Sequence, residues 1–84
     1  MTPERRCDLI ETMRHDARDG VVELDAHLTE LRTRAEALGF EFDRHQARNE
    51  LQAASFGAGD AQIRLLLAPS GAMAVEVRPF GQGR

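Results

Sequence analysis

The sequence predicts an α+β fold, a two-layer sandwich of ββααββ order in which an antiparallel sheet carries two helices on one face. Three observations predict it. Segments with strand-like alternation stand at both ends of the chain, a helical apolar stripe fills the middle, and Gly- or Asp-containing punctuation separates the segments. At 84 residues the chain reads as a single domain, 1–84, of a size that buries only about 60% of the surface its unfolded form exposes. Cores this small supply roughly 3–5 kcal/mol, so a partner surface is expected.

The first segment, "CDLIETMRHD", places Leu9, Glu11 and Met13 on one side and Ile10, Thr12 and Arg14 on the other. "ARDG" offers Gly20 for a positive φ and "VVEL" resumes an extended run, so residues 7–24 read as a β-hairpin. A helix follows directly. Asp25 is its expected N-cap, and Leu24, Leu28, Leu31, Ala35 and Leu38 recur at helical spacing. At roughly 100° per residue they form a stripe about 80° wide, one buried face, with Leu28, Leu31 and Leu38 expected against the sheet. Gly39 closes the helix from the C′ position. After "FEF", Asp43 is the next N-cap, Ala47, Leu51 and Ala54 give a weaker apolar face, and "GAGD" stops the second helix. "AQIRLLLAP" and "AMAVEVRPF" then flank a turn at Ser70 and Gly71, and Val75 and Val77 alternate with Glu76 and Arg78.

Composition narrows the function classes. All 11 basic residues are arginine, the net charge is −3, and the 4 aromatics are all Phe, so there is neither a basic face for phosphate backbones nor a stacking platform for bases. Nucleic acid is not an expected partner. Arginine in place of lysine is explained first by genome composition, yet its consequence is chemical: no lysine side chain is present for Schiff-base formation. Apolar runs such as "LLLA" fall far short of the ~18 residues of a membrane span, and "MTPERRCDLIE" has no apolar leader core, so a cytoplasmic location is expected. Cys7, alone, has no internal disulfide partner and reads as a small packed thiol rather than a nucleophile.

Other constellations are thin. His27 and Glu30 stand at i, i+3 on the first helix, but His15 and His45 are remote in sequence and no cysteine pair exists, so a polar helix flank explains them better than a metal site. "GAGD" lacks the lysine of a phosphate-binding loop, "APSGA" is no nucleophile elbow, and "DARDG" carries too few ligands for calcium.

"LIETMR", then "LDAHLTELRTRAEALGFEFD" after a hairpin, then "IRLLL" and "VEVRP", together resemble the N-terminal domain of class IV pyridoxal-phosphate aminotransferases. Within that group the likeness is strongest to the aminodeoxychorismate lyase type, with branched-chain aminotransferases more distant. It runs from about Cys7 to Phe80, and it rests on order and spacing rather than on one decisive motif. The resemblance implies the same alternation of strands and helices, and a cofactor, pyridoxal phosphate, that this chain does not bind covalently. It also implies that Arg14 and Arg64 face the substrate pocket, where each guanidinium offers a carboxylate two parallel hydrogen bonds.

One matching position departs from the family. Members usually read "HLxRL", their arginine touching the cofactor phosphate, whereas this chain has Glu30 there; Arg34, one turn on, is the possible substitute. The family's lysine lies in a second domain, and the chain ends near that domain boundary, so no catalytic residue is expected here. The reading is an enzyme part that needs a lysine-bearing second domain or chain; the alternative is a non-catalytic remnant acting as a dimerisation or partner-binding module. A small-anion binder using Arg14 and Arg64 ranks last. Self-association through an exposed former domain interface is expected, as a homo-oligomer.

Overall fold

The computed structural model describes residues 8–80. Cys7, and with it the start of the predicted hairpin, lies outside them. In chain order the elements are β1 (Leu9–Asp16), β2 (Gly20–Val21), α1 (Leu24–Leu38), α2 (Arg44–Ser55), β3 (Ala61–Leu67) and β4 (Met73–Pro79). They build a 4-stranded sheet, order β2-β1-β3-β4, antiparallel at every pairing. This is the predicted ββααββ sandwich.

Alternation decides which sheet face the helices cover. Leu9, Glu11, Met13 and His15 of β1 are buried, as are Ala61, Ile63, Leu65 and Leu67 of β3, because these positions point to one side of the pleat. Against them lie Leu28, Leu31 and Ala35 of α1 and Ala47 and Leu51 of α2. Leu24, Phe40, Phe42, Met73, Val75 and Val77 close the rim. Among the described residues the opposite face carries no helix.

Several local expectations are corrected. β2 is only Gly20–Val21, because the chain must turn at once to start α1 at Leu24; Val22 keeps one bond to β1, its N–H donating to Arg14 O, and Glu23 turns into the helix. Glu23, not Asp25, is the N-cap; with φ 58° and ψ 37° it enters the helix from the left-handed region and makes no side-chain cap bond. Asp25 sits in the first turn, where a carboxylate suits the helix dipole, and its Oδ1 stands 2.5 Å from Arg48 Nη2 and 3.5 Å from Arg44 Nη2, tying α1 to α2. Leu38 is 59% exposed, since it lies at the margin of the stripe and in the last turn. On α2 the buried line is Ala47, Leu51 and Ser55, not Ala54, which is exposed. A serine takes that position because its hydroxyl donates to Leu51 O at 2.8 Å and so needs no water.

The C-terminal end of α1 and the N-terminal end of α2 form as the sequence marks them. Gly39 adopts φ 75° and terminates α1, with Phe40 N–H donating to Ala35 O at 2.9 Å. Asp43 caps α2 by accepting from Gln46 N–H at 3.1 Å. The β3–β4 turn uses Gly71 at φ 97°, and a Cβ there would meet Glu41 Cβ at 3.1 Å, so glycine satisfies both backbone and packing. Among the described residues no helix is long and apolar enough to cross a membrane.

Candidate functional site

The uncovered sheet face gathers the polar side chains that alternation turns away from the core. Arg14 pairs across strands with Gln62, Thr12 with Arg64, Gln62 with Arg78, and Arg64 with Glu76. Arg14 and Arg64 are therefore diagonal neighbours on one face, within reach of one ligand given the length of their side chains. The two residues that sequence reading singles out, fifty positions apart along the chain, are brought together by the β1–β3 ladder.

Their surroundings differ. The Arg14 guanidinium carbon stands 5.9 Å from the centroid of the Phe80 ring, a cation–π contact that leaves the fork's edge open to an anion. Arg64 Nε lies 3.4 Å from Glu76 Oε1, close enough for attraction yet not aligned as a hydrogen bond, and that nitrogen is shielded from solvent with no hydrogen-bond partner. Both side chains of this pair are part-exposed, 38% for Arg64 and 53% for Glu76, so the ion pair is weak and exchangeable with an incoming carboxylate.

On the helix side a second polar cluster stands where the core would otherwise be apolar. Glu11, on β1 between Leu9 and Met13, has an 8% exposed residue surface and points toward α1. Its Oε1 accepts from Arg34 Nη1 at 2.8 Å and its Oε2 lies 2.7 Å from His27 Nδ1. Arg34 Nη1 also reaches Ile10 O at 3.3 Å. His27 thus partners Glu11 rather than Glu30, which is exposed, and Arg34 is held by a buried carboxylate. Sequence reading missed this network. Its signal is Glu11 itself, a charge at a position that alternation assigns to the core and that must therefore find a partner.

An open cleft of about 590 Å³ lies elsewhere, between the β1–β2 turn and the C-terminal end of α2, lined among others by His15, Asp19, Gln52 and Phe56. Neither Arg14 nor Arg64 reaches it. His15 is fixed there by a 2.8 Å hydrogen bond between its Nδ1 and Gly59 O, and Asp60 Oδ1 accepts from Ala17 N–H at 2.8 Å, so the loop after α2 is stitched to β1. Among the described residues no cluster of His, Cys, Asp and Glu is arranged to hold a metal ion.

No family model matches the chain, and no curated protein does. A crystal structure from Mesorhizobium loti does match, a protein provisionally described as an amino-acid aminotransferase, with a TM-score of 0.80 and 32% sequence identity over 92% of this chain. The fold is aminotransferase-like. This aminotransferase-like domain spans 38% of the length of that structure, so most of the larger protein has no counterpart here.

Proposed function

We propose that this chain is the N-terminal part of a class IV pyridoxal-phosphate enzyme, an aminodeoxychorismate lyase or amino-acid aminotransferase, that is not catalytic alone. In this reading the open sheet face receives the carboxylate of an amino acid or chorismate derivative between Arg14 and Arg64. A lysine-bearing second domain or chain completes the site. The observation that carries the proposal is the convergence of those two arginines on one face of a domain whose likeness to an aminotransferase covers 92% of it.

The residues present do not by themselves fit the cofactor. The chain has no lysine, Glu30 presents a carboxylate where the resembled family has its phosphate-binding arginine, and Arg34 is already paired with Glu11 at 2.8 Å. What this domain contributes is orientation of the substrate and exclusion of water over one face of a cleft.

The test is to mix the purified chain with pyridoxal phosphate, with and without a lysine-bearing second-domain chain, and to follow the cofactor spectrum and borohydride trapping. The chain alone should trap no stoichiometric cofactor. In the active pair, Arg14→Ala and Arg64→Ala should each raise KM for the carboxylate substrate by about 10- to 100-fold, the value of one charge-assisted pairing. Two variants with unaltered KM would remove the open face from substrate binding.

Glu30 and the engagement of Arg34 favour a second reading, a non-catalytic remnant that dimerises or binds a partner. Glu30→Arg separates the two. In an assembling enzyme half it restores a donor beside the phosphate and should tighten cofactor binding by about tenfold. In a remnant it is a surface change and should move stability by no more than ~0.5 kcal/mol, with no effect on the cofactor.

A further inference from the structure

The two edges of the sheet are finished differently. Phe80 N–H donates to Asp60 O at 3.0 Å and Ala68 N–H to Ala72 O at 2.9 Å, at the two ends of the β3–β4 ladder. The even-numbered residues of β4 therefore turn their backbone groups toward β3, and Met73, Val75 and Val77 turn theirs outward. By the same alternation the even-numbered residues of β1 face the other edge, which is partly covered. β2 pairs there at His15↔Val21 and Asp16↔Gly20, Val22 N–H donates to Arg14 O at 2.8 Å, and Arg34 Nη1 reaches Ile10 O at 3.3 Å. Among the described residues nothing comparable reaches the outward amides of β4. Its register with β3 runs unbroken from Met73 to Pro79, so no bulge twists the edge away, and the strand carries no lysine and no interior proline.

We propose that the free edge of β4 pairs antiparallel with the same edge of a second copy of this chain, in a two-fold register centred on Val75. This inference is independent of the enzymatic reading above. In that register Val75 meets Val75 of the mate and Met73 meets Val77, so the outward N–H and carbonyl groups of Met73, Val75 and Val77 all find partners. Pro79, which has no N–H to give, falls opposite Gly71, whose own N–H is already bonded to Ala68 O at 2.9 Å. Met73, Val75 and Val77 are half-buried against the core, and their pairing continues one apolar row across both copies on the helix-bearing face. Ala74 then stands opposite Glu76 of the mate. Moving the two-fold centre on by one residue, a slide of two residues between the strands, sets Glu76 against Glu76 at the close, non-hydrogen-bonded spacing, which like charges disfavour. The edge thus matches itself in one register better than in its neighbour.

The test combines sedimentation with hydrogen exchange on the full chain across a concentration series. The expected result is a dimer in which the amides of Met73, Val75 and Val77 become protected as concentration rises while the Thr12 amide keeps exchanging freely. Ala74 is exposed on the open face, so its substitutions leave the core intact. A74E sets carboxylates against Glu76 twice per dimer and should raise the dimer Kd by about tenfold; A74K should lower it by a similar factor. The proposal is overturned by a chain that stays monomeric, or by a dimer whose β4 amides exchange as fast as Thr12. It is equally overturned if both Ala74 variants shift association the same way, or if protection appears only on adding a second-domain chain.

Discussion

Leu31→Ala should leave most of the chain unfolded under conditions where the parent is folded. Leu31 is fully buried, at the centre of the α1 stripe, and belongs to the cluster that joins α1 to Ile63 and Leu65 of β3. Truncating such a leucine removes its transfer energy and leaves a cavity that the neighbours fill only in part, a loss of about 2–5 kcal/mol. A core of this size holds roughly 3–5 kcal/mol in total, so the substitution removes most of it. Urea denaturation followed by circular dichroism measures the effect, and Leu38→Ala is the internal control. Leu38 shares the stripe in sequence but is 59% exposed, so its truncation should move the midpoint only slightly. Equal midpoints for the two variants would place α1 in a different rotation about its axis.

The contrast between Leu31 and Leu38 also shows what periodicity can reveal. It locates a helix and the centre of its buried face, because the face is set by a repeat that needs no knowledge of the partner. It does not say where the covered surface ends, and Leu38, in the last turn, lies beyond it. The same limit explains α2, where the pattern favours Ala54 but the buried line runs through Ser55, a polar residue admitted because its hydroxyl is satisfied by Leu51 O. The N-cap of α1 was hidden for another reason. Sequence preference points to Asp25, yet the tight exit from β2 starts the helix two residues earlier, from Glu23 in the left-handed region.

The open face was more legible than the network beneath α1. Strand alternation alone sends Arg14 away from Leu9 and Met13, and it sends Arg64 away from Ile63 and Leu65; the ladder then makes them neighbours. Pairing Glu11 with Arg34 and His27 required knowing how α1 crosses β1, which is a tertiary fact. A glutamate in a run of core positions announces that some cation must cover it, and only the packed structure shows which.

Glu11→Ala is accordingly the second large effect, expected to cost about 2 kcal/mol. Each of its two contacts is a hydrogen bond to a cationic or ionisable partner, of a kind that contributes roughly 1.5–3 kcal/mol when charged. The Glu11 side chain is only 10% exposed, but Arg34 and His27 are 38% and 28% exposed, so water recovers part of what they lose and the sum stays well below the full value of both. Arg34→Ala should cost less than Glu11→Ala, because it leaves the carboxylate one partner. The double variant should be less destabilised than the two singles added together, by a coupling of roughly 0.5–3 kcal/mol. That coupling separates the two roles open to Arg34. A guanidinium held to bind an external anion would be nearly neutral for stability when no anion is present, whereas one that pins α1 to β1 carries its coupling with Glu11 in the free chain. Additive single effects in ligand-free buffer would show that Arg34 does not hold the helix to the sheet.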